Sequence, residues 1–206
     1  ERTFNIVIWD DSRHDEDRTL IQILGPALWR GHGTLKRGAQ LKLYNPRSNH
    51  VTVVSSSMLG DSWMGSHFTN DDLVKETRLA RHYDMKREKK WRGKNEAGEQ
   101  VTFHRLRLTP KPTAPVAWGK IVLELWERGE LVIPTRMAYH RKASSKRADR
   151  TLIFDDVKQL GGRTVPSRMT MTVADKPGEY TRIVYKKIKF GIKIPGSKFT
   201  EQALRK

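Results

Sequence analysis

The sequence contains no cysteine, which excludes a disulfide framework and any chemistry that uses a thiolate. Its apolar runs are short: residues 6–9 are far below the roughly 20 residues that a membrane-spanning helix needs. The chain opens at Glu1, without a Met, a basic segment or an apolar leader. We therefore expect a mature or trimmed product from which a signal peptide has been removed.

Motifs of catalytic and metal sites are also missing. The spacing around Ser62 is G-x-S-x-x-G, which differs from the G-x-S-x-G of a nucleophile elbow, so we do not expect a catalytic serine. The seven histidines are widely spaced, without the pairing on one helix face that metalloproteases use. No P-loop or dinucleotide glycine fingerprint is present. The sequence predicts no enzyme activity, no metal and no cofactor.

Acidic residues are fewer than basic ones: the chain has 23 Asp and Glu and 40 Lys and Arg, which gives a net charge of +17. The excess is uneven: residues 140–206 hold 17 basic and 6 acidic side chains. Such a field favours polyanions, either nucleic acid or an anionic membrane surface. Basic residues that alternate along predicted strands, such as Lys187 and Lys189, are more simply a solvated face. Without a nucleic-acid motif, nucleic acid is not an expected partner.

The dominant period of the apolar residues is two, which is typical of β-strands. Short turns rich in Gly, Pro and Asn separate roughly ten such runs and favour antiparallel pairing. The apolar residues that define the runs lie at Phe4 to Ile8, Ile21 and Ile23, Leu41 and Leu43, Val51 and Val53, Val101 to Leu108, Trp118 to Trp126, Leu131 and Ile133, Met169 to Tyr185 as a hairpin, and Ile188 to Ile194. An acidic turn is predicted between Asp10 and Asp17.

Helical signals occur in three places. Thr69 and the acids after it suit a helix N-terminus, residues 79–91 have a weaker helical pattern, and residues 199–204 predict one or two closing turns. Residues 55–68 follow neither period and contain Met58, Trp63, Met64 and Phe68. A long irregular segment with adaptable apolar side chains is typical of a lid or a plug. No repeat or long linker divides the chain, so we predict a single domain over residues 1–206.

One stretch of this irregular segment is specific. Residues 61–73 read D-S-W-M-G-S-H-F-T-N-D-D-L, which resembles the D-S-F-M-G-S-D-F-[ST]-x-x-D-L signature of the outer-membrane lipoprotein-sorting family, the LolA-like proteins of Gram-negative bacteria. Trp63 replaces the usual Phe and His67 the usual Asp. Weaker matches follow in the right order: L-K-L-Y-N-P at 41–46, V-P-S-R-M-T-M at 165–171 and the ending from Ile194 to Leu204.

The resemblance implies a mainly β fold: a strongly curved antiparallel sheet that forms an unclosed β-barrel, with a few short helices covering its concave apolar face. Relatives usually carry a helix and a strand before the first strand seen here, so we expect the family's N-terminal helix to lie outside this chain. The implied function is a periplasmic, non-enzymatic carrier of acyl chains of lipoproteins or related lipids toward the outer membrane. An anionic membrane surface or an envelope transporter would be its further partner.

The predicted site is an apolar cavity with a lid. Its residues are Ile23, Leu43, Val53, Met58, Trp63, Met64, Phe68, Leu123, Leu125, Ile133 and Met171. Two alternatives stay open at this point. One is an accessory or structural module of an envelope transport system, which would have a collapsed core in place of the cavity. The other is a nucleic-acid-binding protein, which would bind in a salt-sensitive way.

Overall fold

A computed structural model of the chain describes residues 2–12, 17–75, 79–114 and 116–205. It contains two compact units, Glu1–Thr77 with Ile192–Lys206, and Arg78–Gly191. We call them the five-stranded unit and the seven-stranded unit after their antiparallel sheets. A single domain over residues 1–206 stays a prediction. The centre of the acidic turn predicted between Asp10 and Asp17 lies outside the described residues, as does His14.

The five-stranded sheet is a meander in which each strand pairs with the next along the chain. Its strands are β1 Asn5–Asp11, β2 Arg18–Gly25, β3 Gly33–Arg37, β4 Gln40–Asn45 and β5 His50–Val53. Helix α1, Asn70–Lys75, follows the sheet, and helix α3, Glu201–Leu204, closes the chain after a 3₁₀ turn at Gly196–Phe199. The helical signals at Thr69 and at residues 199–204 are therefore confirmed.

Both faces of the five-stranded sheet carry buried apolar residues. On one face Leu20, Leu35 and Tyr44 form a core with Phe199 and Leu204 from the C-terminal segment. A Cβ atom added at Gly33 would lie 2.7 Å from Leu204 Cδ1, so the absence of a side chain at Gly33 makes room for Leu204. The other face carries Ile21, Ile23 and Leu41, which are at most 6% exposed.

The seven-stranded sheet is also a meander, with strands in the order β12-β11-β10-β9-β8-β7-β6. Helix α2, Leu79–His82, precedes it. Its strands are β6 Tyr83–Lys94, β7 Gln100–Pro110, β8 Lys120–Arg128, β9 Leu131–His140, β10 Arg150–Leu160, β11 Arg163–Val173 and β12 Thr181–Val184. The mainly β fold with open antiparallel sheets and a few short helices is confirmed.

The β8–β9 pairing contains an irregularity that changes the faces of β9. Glu124 pairs with Arg136, but Leu125 pairs with Pro134, so Thr135 is an extra residue on β9. Its hydroxyl donates to the Glu124 carbonyl at 3.1 Å. Because side chains alternate between faces, one extra residue places Ile133 on the face opposite to the one that simple alternation predicts.

Two sequence predictions are wrong. Residues 79–91 are helical only as far as His82, and β6 begins at Tyr83. Most β6 side chains are exposed, so the strand is held by its backbone hydrogen bonds to β7. A pattern of polar and apolar side chains cannot predict a strand of this kind. Residues 188–194 form no strand in the described part of the chain. Their segment instead packs against the β10–β11 turn, where Arg163 lies 4.5 Å from the Phe190 ring centre.

Candidate functional site

One face of the seven-stranded sheet carries a continuous row of apolar side chains. Leu106 pairs with Leu123, Leu123 with Met137, Met137 with Leu152 and Leu152 with Met171. Because directly paired residues point to the same side of an antiparallel sheet, this row crosses five strands on one side. The parallel row of Leu108, Ile121 and Tyr139 lies beside it. We call this side the apolar face.

The burial of the apolar face is graded. Leu108, Ile121, Tyr139, Leu152 and Met171 are at most 3% exposed. By contrast, its members Leu106, Leu123, Leu125, Phe154 and Met169 are half-buried, and Met85 on β6 is 46% exposed. The half-buried side chains are the part of this face that can still lose water to a ligand, which is the source of hydrophobic binding.

A buried cation lies on the same face. Arg150 pairs with Tyr139 in the ladder and is 6% exposed. Its guanidinium carbon lies 5.3 Å from the Trp118 ring centre and 5.5 Å from the Tyr139 ring centre, and Nη2 lies 3.7 Å from Met171 Sδ. Aromatic faces and a polarizable thioether thus contact this charge, and such contacts are favourable when water is excluded.

The structure brings three of the predicted site residues together here. Leu123, Leu125 and Met171 lie on the apolar face. Ile133 lies on the opposite side, where it packs with Val101 and Trp126, because of the extra residue Thr135. The sequence signal for that extra residue is the neighbouring Pro134, because proline within a sheet is confined to edges and bulges.

The other predicted site residues belong to the five-stranded unit. Ile23 and Leu43 lie on one face of its sheet, whereas Val53, paired with Lys42, lies on the other and is 53% exposed. Trp63 and Phe68 are buried, and Met58 and Met64 are half-buried. The assignment of these residues to a cavity and lid stays a prediction.

The signature segment is a closed, hydrogen-bonded loop. Ser62 and Thr69 form an isolated β-bridge, and the Trp63 N–H donates to the Phe68 carbonyl at 2.8 Å. The Trp63 indole Nε1–H donates to Thr34 Oγ1 at 3.0 Å, which ties the loop to β3. The Ser62 hydroxyl donates to the Ser66 carbonyl, so it is engaged in holding the loop.

The remaining signature residues also serve local structure. Met64 and Gly65 have φ of 53° and 70°, and this left-handed region favours glycine. Thr69 Oγ1 accepts from the Asp72 N–H at 3.3 Å, and Asp72 Oδ2 accepts from the Thr69 N–H at 2.7 Å. This reciprocal pair is a capping box at the start of α1. The signature therefore specifies a turn, a buried aromatic and a helix start.

The opposite side of the seven-stranded sheet, which we call the charged face, contains a cavity of about 520 Å³. Its floor consists of alternate residues of β7, β8 and β9, including Arg105, Lys120 and Arg136, and its wall is the loop at residues 143–148. Sequence reasoning did not identify this cavity, because it treated alternating basic residues as a solvated surface.

Two further properties bear on function. Among the described residues, no group of three or more His, Asp or Glu side chains has the arrangement of a metal site. None of the helices in the described ranges has the length and apolarity needed to cross a membrane.

Comparisons with known proteins agree on the fold. A DUF1329 family protein from Desulfovibrio piger superposes with a TM-score of 0.78 at 19% identity, over 98% of this chain and 82% of its own. An outer membrane lipoprotein-sorting protein domain from Vibrio parahaemolyticus gives 0.77 at 20% identity, over 100% and 85%. A LolA superfamily protein from Nitrosomonas europaea gives 0.66 at 19% identity, over 97% and 90%. The fold is LolA-like.

Sequence comparison adds one family. A family model described as "Uncharacterized protein" matches residues 15–206. No curated protein matches the sequence.

Proposed function

We propose that this chain, which belongs to the family described as "Uncharacterized protein" and has a LolA-like fold, is a periplasmic carrier of lipoprotein or lipid acyl chains. The observation that carries the proposal is the five-strand row from Leu106 to Met171 on the apolar face. An acyl chain would lie along the half-buried edge of this row and exclude water from it. Binding is reversible and involves no covalent chemistry.

The energetics suit a carrier that must release its cargo. Burial of each methylene contributes about 0.8 kcal/mol, so a dozen contribute roughly 10 kcal/mol. The loss of translational and rotational freedom opposes this by several kcal/mol. The balance corresponds to affinities in the micromolar range, which are tight enough for transport and weak enough for transfer to a membrane.

The printed descriptions of the structural relatives support the same role. One names a lipoprotein-sorting domain and another the LolA superfamily. We infer from them that this chain acts between the two membranes of the Gram-negative envelope and carries its cargo toward the outer one. The excess of basic side chains would draw it to an anionic membrane surface.

A second candidate is favoured by the deeply buried half of the apolar face. Leu108, Ile121 and Met171 are at most 1% exposed, as expected of a packed core. A face that is closed along its whole length would make the chain an accessory module of an envelope transport system, without cargo of its own.

Native mass spectrometry with lipid extraction, on protein purified without detergent, tests the carrier. A co-purifying acylated molecule is expected, together with displacement of a hydrophobic dye by added lipid. The double variant Leu123→Asp/Leu125→Asp should lose both, because two carboxylates would stand on the half-buried part of the apolar face.

The control is Val184→Asp, which adds a carboxylate at an exposed apolar residue that pairs with Arg168 on the charged face. It should bind lipid as the parent does. A double variant with an unchanged circular dichroism spectrum and unchanged lipid binding would remove the apolar face from the site. An empty parent protein that also ignores added lipid would favour the accessory module.

A further inference from the structure

The cavity on the charged face has an unequal balance of charges. Five Lys and Arg side chains line it, against two carboxylates. Each carboxylate already has a partner: Glu124 Oε1 lies 2.7 Å from Arg105 Nη2, and Glu88 pairs with Arg107. Three cations remain, and they are Lys120, Arg136 and Lys146.

These three cations have no carboxylate at ion-pair distance in the described part of the chain. Lys120 is 8% exposed, and its ammonium donates to the Ser145 carbonyl at 2.9 Å, which leaves two of its three N–H donors. Arg136 faces the cavity from β9 with the fixed donor fork of a guanidinium. A cation in such a partly dry position is stabilised by an anion that enters beside it.

The wall of the cavity is built by specific contacts. His140 Nδ1–H donates to the Arg147 carbonyl at 3.1 Å, and the Arg141 N–H donates to Asp149 Oδ2 at 2.8 Å. At Gly119 an added Cβ would lie 2.6 Å from the Arg141 carbonyl oxygen, so only glycine lets this loop approach the sheet. The loop that carries Lys146 is therefore fixed over the floor.

The titration of His140 reflects the same surroundings. Burial lowers its pKa, and the positive charge of Lys120 and, more weakly, that of Arg136 lower it further. The hydrogen bond to the Arg147 carbonyl and the charge of Asp149 act in the opposite direction, but the pKa remains below its ordinary value. A bound anion would act in the opposite direction and raise the pKa of His140.

We propose that this cavity binds a phosphate group, either as a free phosphate ester or as the headgroup of a phospholipid. Three cations from β8, β9 and the loop suit a group with several acceptor oxygens. The volume of about 520 Å³ is within the range of small-molecule sites. The site lies on the side of the sheet opposite the apolar face, so it does not depend on the proposed carrier function.

Calorimetric titration with glycerol 3-phosphate tests the proposal. Saturable binding is expected in the parent protein, with a loss of about tenfold or more in affinity for Arg136→Gln, the size expected for a charged hydrogen bond. Lys146→Gln should weaken binding severalfold. Its matched control Lys142→Gln removes an equal charge from an exposed residue that directly precedes the loop and lies outside the cavity lining, and it should leave the affinity within about twofold.

A second readout is specific to the cavity. An NMR titration of the His140 imidazole should show a higher pKa with saturating glycerol 3-phosphate than without it. The absence of saturable binding at millimolar ligand, or equal losses for Lys146→Gln and Lys142→Gln, would overturn the proposal in favour of a general basic surface.

Vesicles distinguish the two sources of the phosphate. Phosphatidylglycerol vesicles that compete with glycerol 3-phosphate, with loss of this competition in Arg136→Gln, would identify a lipid headgroup. Vesicles that fail to compete would identify a free ester. Because Leu123→Asp/Leu125→Asp leaves the cavity intact, phosphate binding by that variant separates failure of this site from failure of the carrier.

Discussion

The five-stranded and seven-stranded units use their sheets differently. In the five-stranded unit a segment of the unit itself covers one face: Phe199 and Leu204 pack on Leu20 and Leu35. The signature loop is fastened to β3 by the Trp63–Thr34 hydrogen bond. In the seven-stranded unit one face carries an apolar row that is half-buried at Leu106 and Leu123, and the other face carries the charged cavity.

The difference between the two units separates residues with a structural role from residues with a proposed binding role. Residues of the five-stranded unit that sequence comparison singles out, including Trp63 and Gly65, have local structural tasks. The two surfaces that we propose for binding lie on a sheet that no strong motif marks. The conspicuous motif of this chain therefore locates a folding determinant, whereas the proposed binding surfaces are revealed only by the pairing of the strands.

The same substitution in each unit gives the largest contrast. Leu204→Ala should lower the free energy of unfolding by about 2–5 kcal/mol, because it opens a cavity in a fully buried core. Leu123→Ala should lower it by less, since Leu123 is half-buried, but should weaken lipid binding. Denaturant titration and dye displacement measure the two effects.

Leu28→Ala is the control for both, because Leu28 is 58% exposed and should change stability by no more than about 0.5 kcal/mol. An equal loss of stability in Leu204→Ala and Leu123→Ala would mean that the two sheets are packed alike, and the comparison would fail.

The sequence predicted much of this fold but less of the site. Apolar alternation located β4, β8 and β11 because the side chains on the two faces of each strand differ in polarity. It missed β6, whose side chains are exposed along almost its whole length, and β3, in which Lys36 is only 2% exposed. It also missed β10, in which Leu152, Ile153 and Phe154 are consecutive apolar residues and do not alternate with polar ones. Alternation reports the environment of side chains, whereas a ladder of backbone hydrogen bonds also forms between strands that lack an apolar pattern.

Within the site, alternation placed Leu123 and Leu125 on one face of the sheet, as observed. It failed at Ile133, since apolar alternation takes no account of a register shift such as the one at Thr135, for which the neighbouring Pro134 is the sequence signal. It also failed to identify Lys120 and Arg136 as cavity residues, because a basic side chain over a cavity and one in open solvent have the same sequence pattern. That distinction depends on the loop at residues 143–148.

The hydrogen bond between Trp63 and Thr34 tests the structural role of the signature loop in the five-stranded unit. Thr34→Val keeps the shape of the side chain but leaves the buried indole N–H without its acceptor, which should lower the free energy of unfolding by about 1–3 kcal/mol. Adding Trp63→Phe removes the orphaned donor, so the double variant should lose less than the sum of the single changes. A double-mutant cycle by denaturant titration measures this coupling.

Additive losses in that cycle would contradict the hydrogen-bonded attachment of the signature loop. The loop would then be held to the sheet by packing alone, and the signature aromatic would lose its structural assignment.

The turn of the signature loop has a smaller expected effect. Gly65→Ala should lower the unfolding temperature, because a residue with a Cβ is disfavoured by about 1–2 kcal/mol in this left-handed conformation. The added Cβ would also lie 2.8 Å from Arg2 Nη2. The matched control is Gly60→Ala in the same segment, where an added Cβ meets no atom within 4 Å. Equal unfolding temperatures for the two variants would contradict a structural role of Gly65.

The smallest expected effect is a pH dependence in the seven-stranded unit. Hydrogen bonds from Lys158 and Ser167 lower the pKa of Asp156 below its ordinary value of 3.8. The ionised carboxylate therefore stabilises the fold fully above that value, and this contribution is lost as the pH falls through the lowered pKa. In Asp156→Asn the unfolding temperature should fall less steeply as the pH is lowered than it does in the parent protein. An unchanged pH dependence would show that the carboxylate adds nothing.

The extra residue at Thr135 has a consequence for how relatives of this chain can diverge. Along a paired strand, alternate residues lie on opposite faces of the sheet, so substitutions can alter the proposed lipid surface without altering the proposed anion surface. A gained or lost residue does the reverse: it transfers every later residue of that strand from one face to the other. Gaps near Thr135 in an alignment would therefore mark lineages in which part of β9 has exchanged the two faces of the sheet in a single genetic step.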